Sequence, residues 1–387
     1  MSEYQYYEFR AIDRPLTKQE MAALRAISTR AEISPTSFVN TYQWGDFKGD
    51  PATLMKKYFD AFVYVANWGT HRFVLRVPRW ALKDAKLSAY CPGESASASE
   101  TGDCIVLDFD SEDEDGDWED GEGYMASLIP LRAELMRGDL RCLYLGWLLC
   151  AQCQVLDEEE LEPPVPPGLA KLSAPLQEFA DFLRIEQDLI EVAAESSAAL
   201  DIAGPSEREL AAWIAAMPEA KKDSLLLEAV AGDKPHFRIE LLRLFEQHRA
   251  PLAKHSEEPL PARRTVSQLL EAARTRTNER ERREAERKAA TKARLEREKA
   301  TARGKYLEIL AGQEKQTWVQ VDELIQTKQP KKYDQAVDLL VDLRDLALKQ
   351  KREGEFNLAF EQVRARHASK PSFVQRLNKV ANSGVLK

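Results

Sequence analysis

The stretch TNERERREAERKAATKARLEREKATAR, residues Thr277–Arg303, contains a single large apolar residue, Leu295. Its Ala, Glu, Lys and Arg residues are strong helix formers, and neither Pro nor Gly occurs before Gly304. Opposite charges repeatedly lie four residues apart, and each such pair stabilises a helix by about 0.2–0.5 kcal/mol. We therefore predict a long helix that needs no core, roughly 60 Å from Thr265 to Gly304 at about 1.5 Å per residue.

Three functions fit this charged helix. A helix that is polar on all sides is typical of a spacer between domains, and its heptad positions, filled by Ala, Arg, Glu and Lys, predict no strong coiled-coil dimer. Its ten Lys and Arg residues against six Glu favour a contact with nucleic acid, although the interleaved acids repel phosphates. The third function is an electropositive arm for an acidic protein partner or for the chain's own acidic loop. The candidate contact residues are Arg280, Arg283, Arg287, Lys288, Lys292, Arg294 and Arg297.

Charge divides unevenly along the chain. The net charge of −9 combines +11 for residues 261–387, which hold 29 Lys and Arg against 18 Asp and Glu, with −20 for residues 1–260. The two parts are expected to attract each other, or different partners. A length of 387 residues predicts two or three domains.

The first part of the chain predicts an α+β domain over residues 1–160. Strands such as EYQYYEFRAI and CIVLDFD are rich in aromatic and β-branched residues, and AFVYVANW and HRFVLRVP flank Gly69 as a hairpin. Thr17 and Glu20 have capping-box spacing, and Asp50 precedes Pro51 at a helix start. The apolar run that follows, from Met125 to about residue 156, is expected to pack on the sheet as helices.

Mainly α-helical domains follow this α+β domain, so the fold class combines both with a long charged helix. A period of 3.6 residues predicts a helical domain over 170–255, after the proline-rich connection DEEELEPPVPPG. The charged spacer helix takes residues 265–312. Four helices separated by Pro330, Gly354 and Pro371 predict a C-terminal helical module over 313–387.

The acidic loop 108–122 contains SEDEDGDWEDGE, residues 111–122, which has the spacing of a twelve-residue calcium loop. Asp113, Asp115, Asp117, Glu119 and Glu122 take ligand positions, with Gly116 at the sixth place. The first position is Ser111 instead of Asp, and a strand precedes it instead of a helix. An acidic loop without bound calcium is the preferred interpretation.

The cysteines predict reduced, structural thiols. Cys150 and Cys153 form a CxxC with Cys142 eight residues earlier, but neither a second CxxC nor a nearby His completes a zinc site. A redox role requires a preceding thioredoxin-like strand, which this apolar helical segment lacks. We predict no metal and no cofactor.

Catalytic signatures are missing from the sequence. No Gly-rich phosphate loop, GxSxG elbow, HExxH or kinase-type motif occurs. Trp44, Trp68, Trp80, His71 and Arg72 could line a pocket, but aromatic residues at strand spacing predict core positions instead. Binding is therefore favoured over catalysis, with an enzyme that uses a motif-free N-terminal pocket as an alternative.

Neither a membrane span nor an export signal is predicted. No run of about 18 apolar residues occurs, and MSEYQYYEFR lacks the basic and apolar order of a signal peptide. We expect a cytoplasmic location.

The motifs WGTHRFVLRVP, LRCLYLGWLLCAQ, EPPVPPGL and QEFADFLRI resemble those of a group of bacterial proteins encoded beside proteins that carry SWIM zinc fingers. The C-terminal YDQAVDLLVDLRDLA and FEQVRARHASKPSFVQRLNKV are similar to the helical tail of SWIM zinc-finger proteins. The zinc finger itself, CxC followed by CxH, does not occur in this chain. The resemblance transfers no catalytic residue; it implies a SWIM protein as partner and a shared docking module.

The combined prediction is a non-enzymatic protein-interaction adaptor. A spacer that carries binding modules at both ends raises the effective concentration of the second contact. The alternative is direct nucleic-acid binding by the basic C-terminal third, which a steep fall of affinity with salt would indicate. The sequence leaves the oligomeric state open.

Overall fold

A computed structural model describes residues 3–113, 119–200, 206–232, 236–253 and 263–382. The chain forms two compact units, Met1–Glu279 and Arg280–Lys387. The first contains a sheet with helices and the second is helical. The predicted fold class, an α+β N-terminal part followed by helices that include one long charged helix, is confirmed.

The described residues of the first unit contain a seven-stranded sheet in the order β2-β3-β1-β4-β5-β7-β6, and every neighbouring pair of strands is antiparallel. The predicted hairpin around Gly69 joins β4 and β5, and Val63 pairs with Phe73 across it. The strands are β1 Gln5–Arg10, β2 Glu32–Ser34, β3 Ser37–Tyr42, β4 Ala61–Ala66, β5 Thr70–Pro78, β6 Ala96–Thr101 and β7 Cys104–Glu112.

Helices make up most of the remaining described structure. A short 3-10 helix, Arg79–Leu82, follows β5. The α-helices are α1 Lys18–Ile27, α2 Pro51–Lys57, α3 Leu87–Tyr90, α4 Tyr124–Leu128, α5 Pro130–Met136, α6 Arg141–Gln152, α7 Ala174–Phe182, α8 Gln187–Ala194, α9 Glu207–Ala216, α10 Glu219–Ala231, α11 Phe237–Ala253, α12 Val266–Gly312, α13 Glu314–Gln326, α14 Pro330–Lys349, α15 Glu353–Arg366 and α16 Pro371–Asn382.

Both faces of the sheet carry a core because alternate residues of its central strands are apolar on each side. One face presents Phe73 and Phe109, whose rings meet the edge of Phe179 from α7. Helices α4 to α8 cover this face, as the apolar run predicted. The other face is covered by α1 and α2, which pack on Phe9 and Phe62. The helices that cover the Phe73 face, α4 to α8, thus all follow the last strand of the sheet in the sequence.

The first helices of the predicted domain 170–255 belong to the sheet core. The helical stretch over residues 174–194 divides into α7 and α8, and Arg184 takes a positive φ of 57° between them. Phe179 and Leu189 are fully buried with the sheet residues. Helices α9 and α10 bury no residue, whereas Ile239 of α11 packs against this core. Among the described residues of these three helices, Phe245 is the one buried apolar side chain.

A buried ion pair joins the start of α12 to the proline-rich connection. The Arg264 guanidinium donates to both carboxylate oxygens of Glu162, at 2.9 and 2.8 Å, and the Tyr144 hydroxyl donates to the same carboxylate. Arg264 also donates to the Val192 carbonyl at the end of α8, at 2.8 Å. Main-chain hydrogen bonds between residues 158–162 and 264–267 reinforce the junction. The proline-rich connection therefore anchors the start of the long helix.

The C-terminal unit has a helical core of its own. The four predicted helices are present as α13 to α16, and they bury residues such as Val321, Leu340 and Phe373. The last turns of α12 pack on α14, where Arg303 pairs with Asp342 and Asp345. These contacts make residues 280–387 a helical unit built around α14.

Loss of the anchor should destabilise the first unit. We expect Arg264→Ala to lower the free energy of unfolding by about 3–5 kcal/mol, because it leaves the Glu162 carboxylate buried without its cation. The measurement is denaturant unfolding followed by tryptophan fluorescence, since six of the seven Trp residues lie in residues 1–279.

The matched control for the anchor is Arg276→Ala on the same helix. Arg276 pairs with Glu191 and Glu195 at 2.7 and 3.1 Å on the surface, where water screens both partners. Its replacement should change the unfolding midpoint little. Equal losses in the two variants would show that burial of Glu162 is not what holds the helix start.

Candidate interaction surfaces

The candidate contact residues of α12 are all exposed, and the helix separates them onto two sides. At 3.6 residues per turn, five of them fall within an arc of about 100°; we call this set the Arg seam. Lys288 and Lys292 lie on the other side of the helix. The Arg seam consists of Arg280, Arg283, Arg287, Arg294 and Arg297.

Ion pairs along this part of α12 are long and exposed. Arg280 and Glu284 lie 3.7 Å apart, and Arg294 and Glu298 lie 3.6 Å apart, with side chains at least half exposed. Among the described residues, none forms an ion pair with Arg287. Pairs of this kind contribute little to stability and are readily exchanged for another anion.

An apolar face on α10 was not predicted as a site. Leu226, Leu227 and Val230 are 63%, 71% and 85% exposed, and residues three and four apart lie on one side of a helix. No residue of α10 is buried. The run Leu225–Leu227 was the sequence signal for this exposed face. Three consecutive large apolar residues spread too far around a helix to be buried together on one side. We call Leu226, Leu227 and Val230 the α10 apolar face.

The acidic loop is partly structured by ion pairs. Residues 108–112, assigned to the loop from sequence, belong to β7, where Asp108 accepts two hydrogen bonds from Arg72 at 2.8 and 2.6 Å. Asp113 pairs with Arg184 at 3.3 Å. Asp115, Gly116, Asp117 and Trp118 of the calcium pattern lie outside the described residues. The strand before the pattern is confirmed, which is unlike a calcium-binding helix–loop–helix.

Glu119, another member of the calcium pattern, lies against a buried histidine. His71 Nε2 is 3.2 Å from the Glu119 carboxylate, and the Tyr124 hydroxyl donates to the same oxygen. Burial lowers the pKa of His71, which is 2% exposed. Burial opposes ionisation of Glu119, but the hydrogen bonds from Tyr124 and His71 outweigh it and lower its pKa. The group holds the loop end against the sheet.

The predicted aromatic core positions need correction. Trp44 and Trp68 are 68% and 44% exposed, because Trp44 follows the end of β3 and Trp68 lies in the β4–β5 turn. Trp80 is partly buried against the core. His71 and Arg72 are neighbours on one strand and face opposite sides of the sheet. These five residues therefore do not line one pocket.

The CxxC cysteines behave as structural thiols. Cys142 and Cys150 are buried within α6, and Cys153 lies just beyond its end. Burial raises the pKa of the Cys150 thiol to about 12 and that of Cys142 well above its usual value. All five cysteines are free. Within the described residues, no group of three or more His, Cys, Asp and Glu side chains could hold a metal ion.

One cleft of about 510 Å³ lies on the sheet beside β1 and β3. Two of its charged groups form a pair: Glu8 accepts from the Tyr6 hydroxyl at 2.8 Å and lies 2.7 Å from Arg10. Arg30, also at this cleft, lies over the Trp44 ring. The Glu8 carboxylate is thus already engaged by two partners, and the arrangement favours structural pairing over catalysis.

Asp110 is a largely buried carboxylate on β7. Its Oδ1 atom is buried and has no hydrogen-bond partner among the described residues. Burial raises the pKa of Asp110 to about 6; Arg72 opposes this rise, and Asp108 and Glu112 add to it. It borders a cavity of about 390 Å³ together with Glu94, Ser95 and Cys153. Ionisation of this group therefore costs stability near neutral pH.

Asp110→Asn should stabilise the protein in a pH-dependent way. A carboxyl whose folded-state pKa is raised contributes stability at low pH that is lost as the pH rises through about 4 to 6. We expect a gain of about 2 kcal/mol at pH 8 that shrinks towards zero as the pH falls to about 4. Denaturant unfolding across this range measures it. Asp108→Asn, which breaks the pair with Arg72, should lower stability at pH 8, and a pH-independent gain for Asp110→Asn would contradict the assignment.

Comparisons of this chain with protein-family models, with curated proteins and with solved structures give no match. The resemblance to SWIM-associated proteins stays a prediction. No described helix combines the length and the apolar character needed to cross a bilayer. The α10 apolar face and the Arg seam of α12 are therefore the two surfaces that suggest a binding function.

Proposed function

We propose that this protein is a non-enzymatic adaptor that binds a protein partner through the α10 apolar face. The observation that carries the proposal is the exposure of Leu226, Leu227 and Val230 on one side of a single helix. Single exposed apolar residues are ordinary on protein surfaces, whereas adjoining large ones typically mark interaction sites.

Energetics support a docking role for this face. Burying a Leu or Val side chain contributes about 1.5–3 kcal/mol, so three neighbouring side chains supply much of the free energy of a specific contact. Helices α9 and α10 bury no residue of their own, which means that their apolar side chains contribute little to the core of the first unit. Trp213 of α9 rests on Phe245 of α11 at 5.6 Å and is the main aromatic contact in this region.

The resemblance suggests what the partner is. The predicted resemblance is to proteins encoded beside SWIM zinc-finger proteins, and we propose such a protein as the partner. As part of this proposal, the adaptor acts in the cytoplasm.

A pair of single variants tests the adaptor function. Leu227→Asp places a charge in the α10 apolar face, whereas Leu358→Asp places one at an equally exposed leucine, also 71% exposed, between Glu355 and Glu361. We expect Leu227→Asp to weaken partner binding by at least about tenfold, because a charge at an apolar contact must be desolvated. Leu358→Asp should bind like the unchanged protein.

The measurement has two stages. Tagged full-length proteins are captured from nuclease-treated bacterial lysate, and the retained proteins are quantified by mass spectrometry. The affinity of a purified SWIM zinc-finger protein is then measured by calorimetry. Equal retention by the two variants would contradict a role for the α10 apolar face, and a bound protein of another class would contradict the SWIM partner.

A further inference from the structure

In the middle of α12 few acidic residues lie on the side that carries the Arg seam, although acidic and basic residues are interleaved in the sequence. Residues of the Arg seam follow one another at steps of three, four, seven and three positions, which keeps them on one side of the helix. Glu281 and Glu296 fall on the opposite side, and Glu284 and Glu286 fall at the edges. Glu279 and Glu298 lie at the two ends of the seam, and no acid lies on it between them. The repulsion expected from interleaved acids is therefore weakest where the arginines are.

The composition of the Arg seam indicates which kind of partner it fits. Protein-binding helix faces use large apolar anchors, but the only apolar residue on the seam is Ala290. The large apolar residue Leu295 lies at the side of the seam. Interfaces with nucleic acid are instead polar and strongly positive, and guanidinium groups bind phosphate oxygens in a bidentate manner. Charge complementarity therefore favours a phosphate backbone over a protein surface.

The Arg seam favours a duplex over a single strand. Binding of single strands relies on aromatic side chains on which bases stack, and residues 277–303 contain no aromatic residue. The seam is a straight row about 26 Å long, from Arg280 to Arg297 at about 1.5 Å per residue. A duplex is a stiff rod that carries about one charge per 1.7 Å of its axis, so it presents phosphates along the whole seam.

We propose that the Arg seam of α12 is a docking face for the phosphate backbone of double-stranded nucleic acid. Binding is independent of base sequence, since the seam carries no Asn or Gln side chain that could read base edges. Five arginines contact up to five phosphates, which sets the number of counterions released on binding. This inference does not depend on the adaptor function.

Salt dependence supplies the first test. The full-length protein is titrated into a fluorescently labelled 24-base-pair DNA duplex between 50 and 200 mM salt, and anisotropy gives the affinity. Five phosphate contacts predict a slope of about −4 to −5 for the logarithm of affinity against that of salt, or a loss of about 500-fold over this range. No binding at 50 mM salt would overturn the proposal.

Two triple variants separate the Arg seam from overall charge. The seam variant is Arg283→Gln, Arg287→Gln and Arg294→Gln, and the control is Arg282→Gln, Lys288→Gln and Lys292→Gln, which removes the same charge from the other side. We expect the seam variant to reduce the slope by about 2.7, which is three contacts, and the control to retain the slope of the unchanged protein. Equal losses in both would show that binding follows net charge and would overturn the assignment.

Competitors identify the polyanion. Unlabelled DNA duplex and RNA duplex should both displace the probe from the unchanged protein, and the tighter of the two is the preferred ligand. Single-stranded DNA and poly-glutamate, at equal charge concentration, should compete at least about tenfold less well. Competition by either of them that equals the duplex would overturn the choice of a double-stranded partner. Circular dichroism would check that both triple variants keep the helix.

Discussion

The buried pair between Glu162 and Arg264 is the constraint on which the arrangement of this chain depends. Glu162 lies in a connection that follows the sheet and α6, and Arg264 stands immediately before the longest helix. A buried carboxylate is tolerated only with a full set of partners, so Tyr144 and Arg264 must both be in place when the first unit folds. The start of α12 is fixed as a consequence, and Val266 and Leu269 enter the sheet core as its first buried turn.

Beyond this fixed start, the burial of α12 changes twice along its 47 residues. Its first turns are apolar on one side and belong to a core, its middle is exposed all round, and its last turns pack Leu307 and Leu310 on α14. Helix-forming composition and pairs four residues apart hold the middle without burial. Because that middle is exposed, packing against a core does not constrain which side chains it carries. The sorting of arginines to one side is therefore more informative there than it would be in a packed helix.

In the first unit, unlike the middle of α12, many charged side chains form ion pairs that hold the fold together. Many of its acidic side chains are engaged in pairs, such as Asp108 with Arg72 and Asp60 with Arg76, and these join neighbouring strands. The thiols of Cys142 and Cys150 are buried with raised pKa values, and Glu8 in the cleft beside β1 and β3 is paired with Arg10. What this unit offers to other molecules is the α10 apolar face. An adaptor is consistent with that distribution, since binding needs an exposed surface and no reactive group.

The sequence by itself determined the element types wherever local chemistry decides them. The capping box at Thr17, the hairpin at Gly69 and the helix-forming composition of α12 act within a few residues, and all are present as predicted. The candidate arginines were also visible, but their division into a seam and an opposite side required a confirmed helix. Tertiary structure alone decided the rest. The edge strand β6, ASASET, has no apolar alternation and exists because β7 pairs with it. Glu162 looked like part of a linker, and the exposure of Leu227 depended on what packs against α10. Burial and long-range pairing involve residues far apart in sequence, so no local pattern could specify them.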